Sequence, residues 1–95
     1  MDPDPTGAPG AELVLVGLRD LWAHQESTES LLVSVGASRL RDLGFAVPPV
    51  APGAEHLLYE HLARREGTNA HSAYNALVRR LVSFERAMES RRSAS

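Results

Sequence analysis

From Ala70 to Met88 the apolar residues Ala70, Tyr74, Leu77, Leu81, Phe84 and Met88 recur in steps of 4, 3, 4, 3 and 4. Only a helix puts that spacing on one side, and the pattern holds for almost three heptads. The chain must therefore contain one long helix with a continuous apolar seam, and the rest of the fold has to cover that seam or leave it to another molecule. Thr68 or Asn69 is placed to cap this helix, which is expected to run to about Glu89.

Three further helices are expected ahead of it. The first spans about Ala11 to Gln25, with Ala11, Val14, Leu15, Leu18, Leu21 and Trp22 on one face and Leu13 and Val16 outside it. Its opening, ELVLVGL, also reads as a strand because four consecutive aliphatic residues carry no clear period. The second starts at STES, where Ser27 or Thr28 can accept from the free amides of the first turn, and continues to Leu43. Gly44 then supplies a left-handed C′ position, with Phe45 folding back on the last turn. The prolines at 48, 49 and 52 prevent continuation. Leu32, Val33, Leu40 and Leu43 share a face centred on Gly36, a site that invites close approach of another backbone. The third helix spans about Ala54 to Glu66 and ends at Gly67, so it turns tightly into the fourth.

The expected architecture is all-α: a single four-helix domain over residues 11–90, a flexible arm over 1–10 with three prolines and two glycines, and a frayed tail over 91–95. A chain of 95 residues buries only about 60–65% of its unfolded surface, so added contact with a partner or a second copy would stabilise it.

Composition excludes several kinds of chemistry. There is no cysteine, hence no disulfide, no thiolate zinc site and no thiol nucleophile. The acidic, proline-rich start does not look like a secretory signal, and no apolar run approaches the roughly 20 residues of a membrane span. We expect a cytoplasmic protein that does not enter a membrane. Neither a GxSxG elbow nor a glycine-rich phosphate loop occurs, no motif names a reaction, and no cofactor is expected.

The histidines need separate treatment because His56, His61 and His71 cluster within 16 positions. His56 and His61 are five apart, about 140° on a helix, and cannot share one mononuclear site there. His56 with Glu60, and Asp20 with His24, have i,i+4 spacing and read as solvated hydrogen-bonded pairs. His61 lies mid-stripe and reads as a core histidine bonded to Tyr74 or Asn75 on the next helix. His71 reads as a boundary residue near a helix start.

Every one of the ten basic residues is arginine. Residues 1–55 carry three arginines against eight acids, and residues 56–95 carry seven against four, so the two halves differ in sign. Arginine pairs at 64–65, 79–80 and 91–92 flank acids and read as solvated faces. A helix-turn-helix duplex reader is a second reading, with Asn69, His71, Ser72 and Asn75 entering the groove. That first turn lacks an arginine to hold phosphate. A His-dependent metal or enzyme subunit is a third.

The seam decides the main expectation. Phe84 and Met88 come late in a helix longer than its neighbours, beyond the apparent reach of the first three. We therefore expect a small interaction module, a regulatory or accessory subunit. It would bind a protein partner or a second copy through Tyr74, Leu77, Leu81, Phe84 and Met88, with Arg80 and Glu85 setting the register from the flanks.

Overall fold

The computed structural model describes residues 3–94 and is all-α, with no strand among them. Met1 and Asp2 of the expected arm, and Ser95 of the expected tail, lie outside the described residues. Four helical segments follow the chain, the second divided in two: α1 (Ala11–Trp22), α2 (Thr28–Val35), α3 (Ala37–Asp42), α4 (Ala54–Glu66) and α5 (Ala70–Ala94). A short 3₁₀ turn, Gly67–Asn69, joins α4 to α5. The opening ELVLVGL is helical, not extended: Val14 and Gly17 are buried, and Gly17 lies against α2 while Leu15 faces out.

Local signals explain most of the boundaries. Ser27 caps α2: its hydroxyl accepts from the Ser30 amide at 3.0 Å, while the Ser30 hydroxyl accepts from the Ser27 amide at 2.8 Å. At the end of α3, the Phe45 amide donates to the Leu40 carbonyl and the Gly44 amide to that of Arg41, both at 3.0 Å. Gly44 sits at φ 100°, a region a side chain enters only under strain, so the left-handed stop expected there is present. The end of α1 uses the same two-bond pattern through His24, at φ 57°, and Gln25. This stops α1 at Trp22, the last residue of its apolar face and three residues short of the expected end at Gln25.

Where one helix was expected from Thr28 to Leu43, the chain breaks at Gly36. Gly36 does receive a neighbour closely, but the neighbour is a pair of side chains and not a backbone. A β-carbon there would lie 2.9 Å from Glu85 Oε2 and 3.0 Å from Leu81 Cδ2. The close helix–helix approach is at Gly17 instead. A β-carbon on Gly17 would stand 2.4 Å from both the Glu29 carbonyl oxygen and Val33 Cγ2, so α1 crosses α2 with backbone nearly on backbone.

The core gathers Val14, Leu31, Leu32, Val33, Leu40, Leu58, Leu62, Leu81, Phe84 and Met88, with Leu32, Leu40, Leu58, Val14, Val33 and Phe84 fully enclosed. Residues 3–10 belong to this assembly. Ala8 is buried in the core, and Arg91 donates to the carbonyls of Asp4 at 2.9 Å and Thr6 at 3.0 Å. The expected tail likewise continues α5 as far as Ala94.

Candidate functional site

The seam of α5 is where a contact site was expected, and the structure puts most of it inside the domain. Phe84 is 0% exposed, and Leu81 and Met88 are also buried. Tyr74 and Leu77 are half-buried and pack against the same core. Phe84 has no free face because residues distant in sequence close over it. The Phe45 ring stands 5.6 Å from it, and Gly10 comes within reach of its β-carbon. Residues 3–10 and the turn after α3 supply the cover that lies beyond the reach of the first three helices. The interface reading of Leu81, Phe84 and Met88 is therefore corrected: they are core side chains.

The flanking charges are also committed within the chain. Arg80 pairs with Glu12 of α1. Glu85 is 8% exposed beneath Gly36. Burial pushes its carboxyl above the ordinary carboxylate range, and the charge of Arg39 opposes that shift. Arg39 itself pairs with Glu89 at 3.1 Å, one turn further along α5.

Among the histidines, His56 and Glu60 form the expected pair, Nε2 to Oε1 at 2.8 Å, on the exposed face of α4. Asp20 and His24 do not pair, since His24 has left the helix. Asp20 instead accepts from the Ser27 hydroxyl at 2.7 Å and from Arg19, and the Ser27 bond foremost holds its carboxyl below the usual value. His61 is half-buried, and its partner is neither Tyr74 nor Asn75. Its Nε2 lies 2.8 Å from Thr28 Oγ1, which also accepts from Arg65 at 3.2 Å. That cluster ties α2 to α4 through one hydroxyl. His71 is exposed, bonded to Asn75 at 3.2 Å, with its ring 6.5 Å from that of Tyr59. No group of three or more His, Cys, Asp or Glu able to hold a metal occurs among the described residues. None of their helices is long and apolar enough to cross a membrane.

What the domain does present is apolar surface on α1 and α4. Leu15 is 47% exposed and Trp22 58%, although both belong to the apolar stripe read for α1. The stripe is wider than the contact: α1 meets α2 at Gly17 and buries Val14, which turns Leu15 and Trp22 outward. They are seven residues apart, two turns of helix, and so lie on one side. Trp22 is also fixed. Its indole N–H donates to the Ala46 carbonyl at 3.0 Å, so the polar edge is satisfied and the part facing water is carbon. Leu57 and Tyr59 on α4 are the other large apolar side chains left exposed among the described residues. Leu57 borders an open groove of about 320 Å³, which Leu21, Leu31, Val50 and Ala54 line together with polar residues. A second depression of about 480 Å³, between α3 and the end of α5, is walled by Arg39, Asp42, Glu89 and Arg92 and is mainly charged.

No protein-family model, no curated protein and no solved structure matches the chain.

Proposed function

We propose that this chain is a small helical interaction module, an accessory or regulatory subunit of the cytoplasm, and that it binds protein through the outer face of α1. One observation carries the reading: Trp22 is held in place by its bond to Ala46 and is still more than half exposed, with the exposed Leu15 two turns away on the same side of the helix. A mobile surface tryptophan costs ordering when it binds; a tethered one has already met that cost. Tryptophan set among aliphatic neighbours is also the residue type that most often dominates protein–protein contacts. The absence of cysteine suits a reducing compartment.

The test uses the full chain as bait in a lysate of its source cells, with chemical cross-linking and mass spectrometry, comparing wild type with Leu15→Ser/Trp22→Ser. Both positions are exposed, so the variant is expected to keep its helical circular dichroism and to lose the proteins that wild type retains. An identical set of captured proteins would show that α1 is not the contact face.

A further inference from the structure

Resting on the assignment of α1 as the contact face, we infer that its occupant is a second copy of this chain, with the two α1 helices packed antiparallel about a two-fold axis beside Leu15.

The charges on α1 support this choice. Glu12 and Arg19 are exposed, opposite in sign and seven residues apart, so they occupy the same flank of the helix as each other. By helical phase that flank adjoins Leu15, which follows Glu12 by three positions and precedes Arg19 by four. An isologous pairing exchanges residue i with residue j in both directions. In the register that sets Glu12 against Arg19 of the second copy, Arg19 necessarily meets Glu12 of that copy, giving two opposite-charge contacts from one pair of positions. The same register brings Leu15 beside the axis and carries Trp22 across to Pro9 of the second copy. Pro9 is exposed and apolar, at the start of the helix. A parallel arrangement would set Glu12 on Glu12 and Arg19 on Arg19, and repulsion disfavours it.

Within one chain Glu12 is engaged by Arg80 and Arg19 by Asp20, all through solvent-exposed side chains except the more shielded Asp20. Such exposed contacts exchange readily and fix register more than strength. Strength has to come from Leu15 and Trp22. A helix of 12 residues is about 18 Å long, too short to bury the roughly 1,200 Å² of a stable complex by itself. The association is accordingly weak and reversible, with Kd of about ten to several hundred micromolar.

Sedimentation equilibrium of the full chain, from low micromolar to millimolar, reads this directly. Wild type should show a reversible monomer–dimer equilibrium. Glu12→Arg and Arg19→Glu should each weaken it by about tenfold or more, as each creates two like-charge contacts. The double variant Glu12→Arg/Arg19→Glu should restore it. Glu12→Arg also breaks the bond to Arg80, so Arg19→Glu, which leaves that bond alone, provides the independent arm, with circular dichroism on every variant. A wild type that stays monomeric overturns the pairing. So does a dimer indifferent to Arg19→Glu, or one the double variant fails to restore. If the pairing fails in any of these ways while Leu15→Ser/Trp22→Ser still loses captured proteins, α1 remains a contact face for a different protein.

Discussion

Gly17→Ala adds a single methyl group, and at an ordinary helical position it would stabilise the domain by about 1 kcal/mol through helix propensity. The crossing of α1 over α2 reverses that sign. The new carbon would stand 2.4 Å from the Glu29 carbonyl oxygen and from Val33 Cγ2, where ordinary contact begins at 3.4 Å, so the helices must separate by about 1 Å. Val33 is fully enclosed and the Glu29 carbonyl belongs to a helix, so neither can swing aside. Overpacking of this kind costs about 1–3 kcal/mol and occasionally more. The backbone obstacle puts Gly17→Ala at or above the top of that range, for a net loss of about 2 kcal/mol after the propensity gain. A domain of this size loses about 4–8 °C per kcal/mol, so the melting temperature should fall by about 8–16 °C. Thermal unfolding of wild type and variant, followed by far-UV circular dichroism, measures it. An unchanged or raised melting temperature would refute the close crossing, and with it the outward orientation of Trp22 that the crossing imposes.

Two further outcomes are expected. Glu85 is easier to protonate in the folded state than in the unfolded one, so its contribution is complete below the ordinary carboxyl value and is lost as pH rises through its raised value; Glu85→Gln should flatten that slope on the alkaline side of the ordinary carboxyl value, as urea titrations at a series of pH values would show, and a wild type that gains stability relative to the variant as pH rises there would contradict the burial argument. Phe84→Asp places a carboxylate at a fully enclosed site beside Phe45, and truncation of a buried Phe alone costs about 3–5 kcal/mol; loss of helical circular dichroism at 25 °C is expected, and a folded variant that merely ceased to self-associate would return the α5 seam to the surface.

Signals confined to a few neighbouring residues were legible in the sequence. Ser27 before an apolar run, Gly44 followed by Phe45 and the prolines, and the steps from Ala70 to Met88 each define a local geometry without help from the rest of the chain. What covers the seam was not legible. Phe84 is enclosed from Gly10 and Phe45, 74 and 39 positions away, and no spacing within α5 announces either. Gly36 invites a backbone on sequence grounds, but a glycine amid leucines and valines states only that room exists. Whether a main chain or the side chains of Leu81 and Glu85 take that room depends on the tertiary arrangement. Gly17 carried the same signal, a lone glycine inside a strongly apolar helix, and asking what it approaches would have located the α1–α2 crossing. That crossing in turn decides which of the apolar residues on α1 face inward. The stripe from Ala11 to Trp22 is plain in the spacing, but a stripe does not say which of its edges stays wet.

The bonds from Arg91 to the carbonyls of Asp4 and Thr6 make the backbone almost a ring. Closing a loop of some 85 residues carries an entropic cost that grows only logarithmically with length, yet it must be met before any contact at the closure helps. Residues 4–8 are therefore expected to dock after the helices have assembled and to open first in the native structure. Hydrogen exchange would see them as the least protected part of the core's cover, exposing Phe84 from that side while α2 and α4 stay packed. A circular permutant joined across this closure and opened within residues 48–53 would keep every helix intact and convert a late, long-range docking step into a local one.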